Sequence, residues 1–208
     1  MGTYVHYSLG RKDGIESIVF ENLPSLIKCM ENCRSEYPDE FNESIYLMAI
    51  KMNDNGPASL EVDTEEEACL IDRVVDELIF YEDLSSVTNI EFTLFETIDT
   101  SMMKWRRYAD DLRKVIPDCS EFTCKYYQKL LFDGMTIAKL DGHKYKSDDG
   151  VYRIAWVLPE DIDQLASDLE PINVVTEWKD DEQSGVFFIY DALRRAKERE
   201  CALVVEIA

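Results

Sequence analysis

The chain has 208 residues, with 22 Lys plus Arg against 43 Asp plus Glu, a formal net charge of −21. Apolar residues make up 46% and aromatics 11%, enough for a packed core and too much for a disordered acidic tail. So acidic a chain lacks the broad basic face that duplex nucleic acid or an anionic membrane requires.

Residues 3–9 alternate, with Val5, Tyr7 and Leu9 on one face, and predict a strand. Residues 17–20 form a short apolar run and predict a second one. Leu23, Leu26, Ile27 and Met30 fall at helical spacing, so a helix is expected over 23–33 with Pro24 in its first turn. The nearly continuous apolar run 45–52 suits a strand buried on both faces. Asn53-Asp54-Asn55-Gly56-Pro57 then marks a turn.

Thr64 and Glu67 form a capping box at the head of a helix expected over 65–81, with Ile71, Val74, Val75 and Leu78 inward. Ile90, Phe92 and Leu94 alternate and predict a strand over 90–98. A helix follows Ser101, striped by Trp105, Tyr108, Ala109, Leu112 and Ile116; Arg106 and Arg107 are spaced to pair with Asp110 and Asp111. Asp118, with Glu121 three residues on, is the expected cap of a helix reaching Phe132, and Gly134 ends it.

Runs at 135–140, 143–146 and 151–157, separated by Asp141-Gly142 and by 147–150, predict a three-stranded meander. A helix over 160–169 is expected to stop before Pro171, a second helix to span 186–200, and a strand 202–207. Strands and helices mix without regular alternation. The expected fold class is α+β, a mainly antiparallel mixed sheet with about five to six helices packed on it. The expectation is one domain over 1–208, with a joint near 99–102 as the alternative.

Charge is uneven along the chain. Residues 57–101 carry a net −12, more than half of the total, whereas 102–150 carry +2. None of the eight glycines stands at Gly-x-Gly spacing, so nucleotide-loop patterns are absent. The two histidines, His6 and His143, form no short-range zinc pair, and each reads as a hydrogen-bonded or surface residue. A pocket holding either beside a Cys or Asp would favour an enzyme. Cys29 with Cys33, and Cys119 with Cys124, lack Cys-x-x-Cys spacing and read as packed thiols, so no metal site is expected. Calcium-loop spacing fails too. No catalytic residue is assigned and no cofactor is expected.

The N-terminus shows no signal-peptide pattern, no apolar run reaches membrane-span length, and six cysteines are too sparse for a disulfide scaffold. A cytoplasmic location is expected. The absence of catalytic motifs and the acidic stretch point to a non-enzymatic interaction protein that binds a basic protein partner, of the immunity or inhibitor type that neutralises a toxin. The expected contact residues are Glu65, Asp72, Asp76 and Glu77 on the outward side of the 65–81 helix, Asp83 just after it, and Trp178 in a polar stretch. The alternatives are a small enzyme whose acid/base site is assembled by the fold, or a homo-oligomeric scaffold paired through the edge of its C-terminal strand.

Overall fold

The computed structural model describes residues 4–11, 14–36, 38–39, 41–83, 90, 92, 94–97, 103–115, 118–146, 153–173 and 185–207. Among them the chain forms five strands and seven helices and divides into two compact units. The first comprises Met1–Lys12, Phe95–Met135 and Asp149–Ala208, and the second Asp13–Leu94 and Thr136–Asp148. The class is mixed α+β, but helices outweigh the sheet.

The sheet of the first unit is antiparallel throughout. Strand β1 (Tyr4–Leu9) carries two-residue ladders with β2 (Glu96–Thr97) and β3 (Met103–Lys104) on one side. On the other side it pairs with β5 (Leu203–Ile207), which pairs in turn with β4 (Arg153–Val157). The order is β2-β1-β5-β4. The C-terminal strand therefore has a neighbour on each side and offers no free edge. This corrects the expectation of self-association through it, because its backbone groups are already spent on β1 and β4.

Helices α4 (Trp105–Val115), α5 (Glu121–Gln128), α6 (Pro159–Asn173) and α7 (Gly185–Arg199) complete this unit. Val5, Tyr7 and Leu9 share one cluster with Leu112, Tyr127, Leu165, Leu193 and Val205, all essentially buried. Each such leucine contributes about 1.5–3 kcal/mol by leaving water. Asp111, expected to pair with Arg107, is buried and accepts from the Gly185 N–H at 3.0 Å, capping α7. The side chain of Arg107 lies outside the described residues. Asp110 pairs with Arg113 at 3.4 Å.

Ser120, not Asp118, caps α5: its hydroxyl accepts from the Thr123 N–H at 3.2 Å. A π-helical turn at Lys129–Asp133 extends this helix to Gly134, whose φ of 70° ends it. Helix α6 runs through Pro171 to Asn173. Near a helix end that proline costs one backbone hydrogen bond and little more.

The second unit is built on three mutually packed helices, α1 (Ile15–Glu36), α2 (Glu43–Asn55) and α3 (Glu65–Asp83), with a 3-10 turn at Gly56–Leu60. Two expected strands are helical. Residues 17–20 belong to α1, and Pro24 sits inside that helix rather than at its start. Residues 45–52 lie in α2, where Ile45, Met48, Ala49 and Met52 are buried at helical spacing. Helix α3 follows its capping box, with Glu67 N donating to the Thr64 hydroxyl at 3.2 Å, and buries Ile71, Val74, Val75 and Leu78.

Ile90, Phe92 and Leu94 are all buried, but the described strand is only β2. The expected meander shortens to β4. Residues 135–146 run irregularly apart from one parallel bridge, Lys139 to Glu61, and 147–152 lie outside the described residues. No helix among the described residues is long and apolar enough to cross a membrane.

Candidate functional site

The capping box starts α3 with Glu65, Cys69, Asp72 and Asp76 in one stripe, each separated from the next by three or four residues. The segment 136–146 lies along that stripe. Lys139 N donates to the Leu60 carbonyl at 2.8 Å, which fixes one end. The Asp141-Gly142 turn closes with His143 N on the Leu140 carbonyl at 3.2 Å, Gly142 taking a φ of 79° that few other residues tolerate. This turn delivers His143 to the helix.

The imidazole of His143 has no exposed surface. Its Nε2 stands 2.9 Å from Asp72 Oδ2, and its Nδ1 stands 3.0 Å from Glu65 Oε2. Asp72 is 1% exposed and also accepts from the Thr136 hydroxyl and from Lys146 N at 3.4 Å. Lys146 Nζ bonds Glu65 Oε1 at 2.7 Å, and the Tyr145 hydroxyl donates to Asp76 at 2.6 Å. The stripe read from sequence as outward is thus largely covered. Asp72 is the clear correction: two donors and an imidazole enclose it, so it faces no solvent.

The electrostatics follow from these contacts. Burial pushes the Asp72 carboxyl above its ordinary range, against the pull of Thr136 and His143. The Lys146 and His143 hydrogen bonds hold Glu65 below it. Burial raises the Cys69 thiol, so it is a poor nucleophile as it stands. Both ring nitrogens of His143 face carboxylates, so the ring is not set to take a proton from that thiol.

Glu65 is exposed, Asp76 and Glu77 are half-buried, and the side chains of Asp83 and Trp178 lie outside the described residues. His6 alternates with the buried residues of β1 and stands opposite Glu206. Cys69 also lines a cavity of about 280 Å³ with Asn42, Ser44, Glu66, Leu70 and Arg73. Cys29 and Cys33 gather no third metal donor among the described residues, and neither do Cys119 and Cys124. Cys119 is raised to about 11 by burial and nearby carboxylates.

Sequence reasoning missed Thr136, Tyr145 and Lys146 as partners of α3, and missed Cys69. The Asp-Gly turn before His143 was a visible signal, but its partners lie 71 and 78 residues away. No family model, no curated protein and no solved structure matches this chain.

Proposed function

We propose that this is a non-enzymatic, cytoplasmic acidic protein whose second unit captures a basic protein partner, as a neutraliser of a toxin would. The observation that carries the reading is where the charge lies. The second unit holds 22 acidic and 7 basic side chains, a net −15, and the first unit accounts for the remaining −6. Glu61, Asp63, Glu65 and Glu66 are all exposed at the start of α3. Such a field accelerates encounter with a cationic surface and weakens steeply with salt. The same carboxylates also complement the α3 dipole, so they suit the fold as well as a partner.

The enzyme alternative gains His143 beside an Asp and a Cys. It loses ground because the imidazole is wholly enclosed and burial keeps the thiol protonated. Affinity isolation from a host lysate at low ionic strength, followed by binding measurements over a salt series, tests the proposal. A cationic partner whose affinity falls with salt, and falls again for the triple variant Glu61→Lys, Asp63→Lys, Glu66→Lys, is expected. Binding indifferent to both overturns it.

A further inference from the structure

One imidazole facing two carboxylates poses a problem of valence. A neutral histidine carries a single N–H, so one of the two carboxylates would face a bare lone pair. Assigning the Nε2–H to the enclosed Asp72, which also accepts from Thr136 and Lys146 N, turns the bare Nδ1 lone pair toward Glu65. A metal ion between Nδ1 and Glu65 Oε2 is one way to satisfy both, and a proton is the other. Cys69 lies one helical turn beyond Glu65, and one donor atom from each of Glu65, Cys69 and His143 falls within 4.8 Å of the others. It is the only such group among the described residues.

We propose that Glu65, Cys69 and His143 bind a divalent transition metal of the zinc class, with Asp72 orienting the histidine from behind. This goes beyond the partner-binding reading and does not depend on it. Zinc bonds of about 2.0–2.3 Å place tetrahedral donors roughly 3.3–3.8 Å apart, so the Nδ1–Oε2 pair at 3.0 Å need open only slightly and the thiol close by at most about 1 Å. A thiolate, an imidazole and a carboxylate form a donor set for zinc or cobalt, whereas calcium and magnesium take oxygen.

The surroundings match what metal ligands require. A ligating histidine usually gives its other N–H to a carboxylate, as His143 gives to Asp72. Lys146 holds Glu65 Oε1 and leaves Oε2 directed at Nδ1. The thiol loses its proton to water as it ligates, and the half-exposed side of Glu65 leaves a fourth position for a water molecule. Because the imidazole is enclosed, the ion would be structural: it would pin the 136–146 segment onto α3.

The test uses the full chain, stripped with a chelator and titrated with Co²⁺ alone. One equivalent should produce thiolate-to-cobalt charge-transfer absorption, which Zn²⁺ abolishes by displacement. Cys69→Ser should lose that absorption and Cys119→Ser should keep it. Asp72→Asn should weaken binding about 10–100-fold. Alkylation of the unmutated protein, read by peptide mass spectrometry, covers the case of a variant that fails to fold: Zn²⁺ should slow modification of Cys69 and not of Cys33 or Cys201. No charge-transfer band in the unmutated protein, a band that survives Cys69→Ser, or a Cys69 that zinc does not protect would each overturn the proposal.

Discussion

Asp168 on α6 holds the start of α5 in place. One of its oxygens accepts from Ser120 N at 3.1 Å and from the Thr123 hydroxyl at 2.6 Å, and Thr123 is wholly buried. Burial alone would raise this carboxyl, but the Ser120, Thr123 and Gln164 hydrogen bonds outweigh it and its pKa is lowered. A carboxylate depressed by folding contributes stability above its unfolded pKa and loses it as pH falls through the folded value. Asp168→Ala is therefore expected to cost about 1–3 kcal/mol at neutral pH, as the buried Thr123 hydroxyl and the half-buried Ser120 N–H lose their acceptor. The deficit should shrink below the ordinary carboxylate range. Urea denaturation at a series of pH values checks this, and parallel curves for the two proteins would refute it.

The helix termini make the next scale measurable. Thr64→Ala removes the acceptor for Glu67 N and should cost about 1 kcal/mol in urea, with Thr64→Ser restoring most of it. At the other end of the α2–α3 connection, Gly56 has φ 59° and ψ −151°, and an added Cβ there would meet nothing within 4 Å. The cost of Gly56→Ala is then one of backbone conformation alone, about 1–3 kcal/mol. A neutral substitution would mean that α2 ends differently.

These ends also show what was legible in the chain. Thr64 and Glu67 mark α3 unambiguously, and the alternation of Val5, Tyr7 and Leu9 marks β1. Helix α2 was hidden because Leu47, 55% exposed, and the half-buried Tyr46 and Ile50 fill the gaps in its buried stripe and erase its period. The 135–146 segment alternates like a strand, yet its partner is a polar stripe on a helix. Local pattern does not encode a contact with Asp72 and Glu65 across more than seventy residues.

At the scale of the whole molecule, the charge asymmetry was readable from the start and sharpens on folding: a net −15 gathers in one unit. Two opposing effects of salt follow. Screening weakens the surface ion pairs, such as Lys51–Glu67 at 2.6 Å and Arg34–Glu43 at 3.3 Å. Both pairs are solvent-exposed and contribute little, so this loss is small. Screening also relieves repulsion among the 22 acidic groups of the second unit, of which at most seven can be matched by bases in the same unit. The Debye length falls from about 8 Å at 0.15 M to about 3 Å at 1 M, short enough to isolate neighbouring carboxylates on a helix surface. The repulsive sum should dominate, so the urea midpoint should rise with added NaCl. The double variant Glu36→Gln, Asp54→Asn removes exposed carboxylates from the C-terminal ends of α1 and α2, where the helix dipole also disfavours them, and should start higher at low salt and gain less. A midpoint that falls with NaCl would mean that the ion pairs, and not the excess of carboxylates, govern the stability of the folded chain.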